Sequence, residues 1–138
     1  MYKNGFSIIT VTNRDYCIEN MINNFLRQEF NDKELIIVIN NDKINIEYIY
    51  KYINKELNIF VYKLPEKTAL GTCLNFGVNK SNYNIIAKFD DDDYYGPYYL
   101  DEANKAFLRE GCYVLGKQKT YYYLEQYKKL ILKRVATE

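Results

Sequence analysis

Four runs of β-branched and other apolar residues recur along the chain, with amphipathic stretches between them. The runs are FSIITVT (residues 6–12), ELIIVI (34–39), NIFVYKL (58–64) and YNIIAKF (83–89). Each has the length and composition of a strand. Between the first two, Ile18, Met21, Ile22, Phe25 and Leu26 fall at helical spacing, which predicts an amphipathic helix from residue 15 to about 29. Ile46, Ile49, Ile53 and Leu57 predict a second helix, and residues 70 to about 80 a short third. Pro97 suits the first turn of a fourth helix, with Leu100, Ala103, Asn104 and Phe107 on one of its faces. Strands that alternate with helices predict an α/β domain with a mostly parallel sheet covered on both faces. The tail, YVLGKQ (113–118) and TYYYLEQYKKLILKR (120–134), reads as a strand and a hairpin, with Tyr121 to Tyr123 alternating across a strand and burying one face.

Composition narrows the chemistry. At 138 residues the chain fits one domain, residues 1–138, and its formal charge of +1 gives no general attraction to nucleic acid or acidic lipid. No apolar run reaches the ~20 residues of a membrane span, and the amino terminus has no cleavage-site pattern, so a cytoplasmic protein is expected. The tail KKLILKR is a candidate membrane-peripheral stripe, but an edge strand guarded by lysines fits it better. Cys17, Cys73 and Cys112 are neither a disulfide framework nor a zinc pattern. Cys73 falls on a helix face and reads as core. Histidine is absent, which removes His-based bases, triads and metal sites. Any metal site must be built from oxygen and suits Mg, Mn or Ca. The 16 tyrosines accompany many Asn, Ile and Lys, a bias that an AT-rich genome produces.

In parallel sheets ligands bind beyond the carboxyl ends of the strands. Three polar clusters fall there: Thr12, Asn13 and Arg14; Asn40, Asn41 and Asp42; and Asp90, Asp91, Asp92 and Asp93. Four adjacent carboxylates repel one another, and a divalent cation relieves the repulsion. In an extended segment Asp90 and Asp92 would point one way, and Asp91 and Asp93 the other. The plainer alternative is a solvated acidic loop. An EF-hand reading aligns Asp91, Asp93, Gly96 and Glu102, but Tyr95 occupies a ligand position and a strand stands where a helix belongs.

The order of SIITVTNR, FLRQEFNDKELIIVINND and LGTCLNFGVNKSNYNIIAKFDDDDYYGPYYL resembles the family 2 glycosyltransferases from about residue 6 to the end. The resemblance implies the GT-A fold, a Rossmann-like three-layer α/β/α sandwich. It also implies a donor site for a nucleoside-diphosphate sugar, with a UDP-sugar favoured, and a saccharide or other hydroxyl acceptor. Thr12, Asn13 and Arg14 would lie against base and phosphates, and Asn40 and Asp42 would face the base. Asn75 and Lys88 would serve the donor. The Asp-x-Asp motif maps onto Asp90, Asp91 and Asp92, with Asp92 on a Mn2+ or Mg2+ ion and Asp91 on the ribose or the metal. Tyr94 and Tyr95 are candidates to line the sugar.

Three departures accompany the resemblance. Ile39, Asn40 and Asn41 stand where the family usually carries aspartate. Leu74 precedes Asn75 where an arginine is common, with Arg14, Lys67 or Lys88 available to compensate. Family members are also much longer, and their second half carries the acceptor site and base; here no well-placed candidate stands beyond Glu125, and the base is expected to be absent from this chain. The chain therefore reads as the donor half of an inverting glycosyltransferase: a fragment, a truncated product, or a domain completed by a partner or a second copy. An inactive binding or scaffolding module and a metal-dependent nucleotidyltransferase are the competing readings.

Overall fold

In a computed structural model, which describes residues 3–51, 53–54 and 57–134, each of the four apolar runs forms a strand. The first unit, Met1–Glu102, contains β1 (Lys3–Thr12), α1 (Ile18–Arg27), β2 (Lys33–Ile39), α2 (Ile46–Tyr50), β3 (Ile59–Lys63), α3 (Leu70–Lys80) and β4 (Tyr83–Lys88). The strands lie in the order β3-β2-β1-β4, all parallel. A 3-10 turn, Asp15–Cys17, leads into α1, so the predicted first helix starts in tighter form and ends at Arg27. The second helix is shorter than its periodicity predicts and stops at Tyr50. Within its predicted span, Tyr52, Lys55 and Glu56 lie outside the described residues. One more helix, α4 (Tyr99–Glu110), crosses from the first unit into the second.

Topology dictates which face each helix covers. Parallel strands are joined by right-handed crossovers. The chain steps from β1 to β2 to β3 in one direction, which places α1 and α2 on one face; the return to β4 places α3 on the other. Cys73 of α3 is buried against Ile36 and Val38, with Val11 and Phe76 beside them, as its helical position predicts. β2 is central, and Glu34 to Ile39 are all buried. α3 sits so close to β1 that a Cβ on Gly77 would lie 2.6 Å from Ile9 Cγ2. Ile9 is itself 1% exposed and has little room to yield. Gly77→Ala should therefore destabilise the fold by about 2 kcal/mol, read as a lower urea midpoint.

β4 differs from expectation. Its residues alternate between half-buried and exposed, and Ile86 is 40% exposed. β4 is an edge strand and lacks the cover on both faces that its apolar run suggested. At the amino ends of the strands, Glu34 is buried. It accepts hydrogen bonds from Ser7 Oγ (2.5 Å), Asn82 N (2.6 Å) and Asn82 Nδ2 (2.8 Å), tying β2, β1 and the entry to β4 together. Nearby, β1 carries a bulge at Gly5, with φ +144°, where a Cβ would lie 2.2 Å from the Asp32 carbonyl oxygen.

The second unit, Ala103–Glu138, contains an antiparallel hairpin of β5 (Lys119–Leu124) and β6 (Lys129–Arg134). A 3-10 turn at Glu125–Tyr127 and Lys128 in the left-handed region close it. Residues 113–118 form no strand, contrary to the reading of YVLGKQ. Every residue of β5 and β6 is exposed, so the tyrosine run does not bury one face as predicted. Burial needs a second layer, and a two-stranded ribbon has none of its own.

Candidate functional site

β1 and β4 are parallel neighbours, so the loops leaving their carboxyl ends meet. This is also where the strand order reverses, the position of the ligand crevice in open α/β sheets. Thr12 Oγ1 donates to Asp91 Oδ2 at 2.6 Å and accepts from the Arg14 amide at 3.0 Å. The Arg14 guanidinium forks onto Asp91, Nε to Oδ2 at 3.2 Å and Nη2 to Oδ1 at 2.5 Å. Nη2 also reaches Asp92 Oδ2 at 3.1 Å. Both oxygens of Asp91 are thus engaged, and the residue is buried while Asp92 and Asp93 are exposed. A ribose or metal at Asp91, as the resemblance implies, would share these oxygens with Thr12 and Arg14. The expected split of the four carboxylates by odd and even position fails. β4 ends at Lys88, and bends through residues 91–93 let neighbouring Asp91 and Asp92 reach one arginine.

The electrostatics divide the run further. Burial pushes the Asp91 carboxyl up, but the hydrogen bonds from Arg14 and Thr12 outweigh it and hold it below its ordinary value. The Asp93 carboxyl is pushed up, first by burial and then by Asp90 and Asp92. A depressed carboxyl stabilises the fold above its unfolded value of about 3.9 and loses that contribution as pH falls through the folded value. A raised one works in reverse: it costs stability at neutral pH, and acid relieves the cost. Asp91→Asn should flatten the loss of stability below about pH 4, whereas Asp93→Asn should raise the urea midpoint at pH 7. Urea titrations across pH check both signs.

The other predicted residues take separate positions. Asn13 offers its carbonyl to Asn41 Nδ2 at 2.8 Å, which links the β1 and β2 loops. Asn40 Nδ2 donates to the Thr68 carbonyl at 3.2 Å, and the Asp42 carboxylate accepts from the Glu66 amide at 3.4 Å. These two tie the β2 loop to the entry of α3. Lys88 pairs with Asp90. Asn75 and Lys67 are exposed, and Asn75 stands outside this network. Tyr95 is packed, its ring stacked on Phe89 at 3.7 Å and its hydroxyl accepting from the Asp90 amide; this removes it as a sugar-lining ring. Tyr94 is 70% exposed beneath the Arg27 guanidinium. Glu125 belongs to the hairpin turn of the second unit. Cys17 is buried, and burial pushes its thiol up, away from nucleophilic character.

One set of residues was missed by the sequence reading. Asn20, Asn24, Arg27 and Gln28 lie at i, i+4, i+7 and i+8, on the opposite side of α1 from the apolar stripe that Ile18, Ile22 and Leu26 form. Their amides and guanidinium grip the main chain of the acidic loop. Asn20 Nδ2 donates to the carbonyls of Asp91 and Asp93, both at 2.9 Å. Asn24 donates to Asp93 O at 2.8 Å and accepts from the Tyr95 amide at 3.0 Å. Arg27 donates to Tyr95 O, and Gln28 donates to Gly96 O and accepts from the Leu100 amide. The buried state of Asn24 and Gln28 could not be read from a polar residue type, but their spacing was a usable signal.

A divalent cation fits the exposed carboxylates of the loop. Asp92 and Asp93 are exposed oxygen donors, and the Asp93 carboxyl is raised by desolvation and then by the charges of Asp90 and Asp92, with Lys88 opposing them in part. Among the described residues no three acidic or cysteine side chains converge into a complete cage. Mg2+ and Mn2+ bind through one or two carboxylates and take further ligands from water and phosphate.

Comparison with known proteins accords with this architecture. The chain is 31% identical over 111 residues to the O-antigen biosynthesis glycosyltransferase WbnJ of Escherichia coli, covering 79% of this chain and 43% of that protein. It is 31% identical over 103 residues to poly-beta-1,6-N-acetyl-D-glucosamine synthase of Staphylococcus aureus, covering 71% of this chain and 24% of the synthase. It therefore spans less than half the length of these relatives. The crystal structure of S. aureus TarS 1–349 superposes with a TM-score of 0.67 at 24% identity, over 77% of this chain and 33% of that one. The same protein in complex with UDP-GlcNAc gives 0.68 at 22% identity, over 77% and 32%. These superpositions establish the GT-A fold. The sequence profile described as Glycosyl transferase family 2 matches residues 7–134, nearly the whole chain, and the chain belongs to that family.

Proposed function

We propose that this chain is the donor-binding domain of an inverting, metal-dependent glycosyltransferase that uses a nucleoside-diphosphate sugar, with uridine the favoured base. The observation that carries the reading is the lock of Thr12 and Arg14 on Asp91, which holds Asp92 and Asp93 exposed at the switch crevice. In that reading Asp92 holds Mn2+ or Mg2+, with Asp93 and Asp90 beside it, and Asp91 is its anchor. The bound ion supplies Lewis-acid charge for the donor diphosphate. Arg14 adds fixed positive charge at the crevice, and Asn13, Asn40 and Asn41 offer amide and carbonyl groups to the base. Asp42, Asn75 and Lys88 complete the proposed donor set. The acceptor hydroxyl oxygen loses its proton to a general base outside this donor set and bonds to the anomeric carbon as the carbon–oxygen bond to the diphosphate breaks. The electron pair leaves with the nucleoside diphosphate.

The UDP-GlcNAc and UDP complexes of TarS support a uridine donor. The acceptor is a saccharide or another hydroxyl compound, not nucleic acid, and self-association through the open sheet edge belongs to the same proposal. Among the described residues no helix is long and apolar enough to cross a membrane; a cytoplasmic or membrane-peripheral site of action is proposed.

Calorimetric titration of UDP and GDP into the chain, with and without Mn2+, tests the reading. Binding of UDP that needs Mn2+ is the expected result. No binding of either diphosphate with Mn2+ present would overturn it.

A further inference from the structure

The grip of α1 on the acidic loop has a specific geometry. One side-chain amide, that of Asn20, holds the carbonyls of both Asp91 and Asp93, the residues on either side of Asp92. The backbone of Asp92 is therefore pinned before and after, which fixes the direction in which its side chain leaves the loop. Asn24 repeats the grip one turn on, at the Asp93 carbonyl and the Tyr95 amide. Arg27 donates to Asn24 Oδ1 at 2.8 Å and so orients that amide with its NH2 toward the loop. Gln28 closes the far end at Gly96 and Leu100.

The chemistry of these groups matters as much as their placement. Asn20, Asn24 and Gln28 are neutral, and they bond to the main chain and not to the carboxylates. They hold the loop in shape without supplying counter-charge to Asp92 or Asp93. Lysines in the same places would neutralise those carboxylates and compete with a cation. The loop is also anchored elsewhere, by Asp91 on Thr12 and Arg14 and by the Phe89–Tyr95 stack. The Asn20 contacts therefore add aim to a segment that already has an attachment.

We infer that Asn20, with Asn24 and Gln28 behind it, is a positioning residue that sets the affinity of the acidic loop for a divalent cation with a nucleoside diphosphate. This inference rests on the donor-site reading above. Groups that orient metal ligands typically change metal affinity by about 10–100-fold when removed.

Calorimetric titration of UDP with Mn2+ into wild type, Asn20→Ala and Asn23→Ala tests it, alongside thermal unfolding of each. Asn23 is exposed on the same helix and makes none of these contacts. Asn20→Ala should weaken binding by about tenfold or more, measured well below its unfolding temperature, while Asn23→Ala binds as wild type does. If Asn20→Ala fails to fold, Asn20→Ser, which keeps a shorter donor, takes its place with the same expectation. Wild-type affinity in the folded Asn20 variant, with only the unfolding temperature lowered, would show a purely structural role and overturn the inference while the donor-site reading stands. Absence of binding in wild type would overturn that reading, and the inference with it.

Discussion

Asp92→Ala is expected to abolish manganese-dependent UDP binding, by more than the roughly 100-fold that marks the loss of an outer-shell group, and to leave folding nearly unchanged. The Asp92 side chain is 59% exposed, and its ion pair with Arg14 is a secondary contact of an arginine already forked onto Asp91. Exposed substitutions of this kind shift stability by about 0.5 kcal/mol or less. The neighbouring Asp91→Ala should behave oppositely. It strips the Thr12 hydroxyl and the Arg14 fork of their acceptor, so the urea midpoint should fall as well as the binding. Calorimetry and urea unfolding on the two variants separate a ligand from an anchor. Retained manganese-dependent binding in Asp92→Ala would remove Asp92 from the metal role.

Glu34→Ala should destabilise the fold by about 4 kcal/mol. Glu34 is 2% exposed and accepts three hydrogen bonds from Ser7 and Asn82. Its loss leaves the buried Ser7 hydroxyl without its acceptor, at about 1–3 kcal/mol, strips the two Asn82 donors of their carboxylate partner, and adds a cavity. A domain has about 5–15 kcal/mol in total, so the variant should unfold at far lower urea. Glu34→Gln keeps an acceptor oxygen but turns an NH2 toward a donor, and should lose about half as much. Ser7 lies five residues before Thr12 on β1, about 16 Å along the strand. UDP affinity measured on folded Glu34→Gln should therefore match wild type. A midpoint for Glu34→Ala equal to wild type would show that the network is dispensable.

Most of the first unit was legible in the residues alone. β-branched runs of strand length, separated by helix-length segments with periodic apolar residues, leave few alternatives to a parallel α/β sheet. The rule that ligands bind at strand carboxyl ends then drew attention to Thr12, Arg14 and the aspartates. β4 was misjudged because an apolar run reports how many apolar residues are available, and cover on each face depends on what lies beside the strand. The hairpin was misjudged for the same reason. β5 and β6 pair as TYYYLEQYKKLILKR suggested, but pairing brings no third layer.

Strand and helix order, the parallel sheet, and a rim rich in carboxylate and amide groups are written in the residues, because periodicity and residue chemistry are local properties. The different surroundings of four identical aspartates come from the packing of distant segments. Asp91 is taken inward because β1 and β4 are neighbours and bring Thr12 and Arg14 to it. Asp92 is left facing out between two carbonyls held by Asn20. Those surroundings depend on contacts between residues more than 70 positions apart, and neither composition nor spacing within a single loop encodes them.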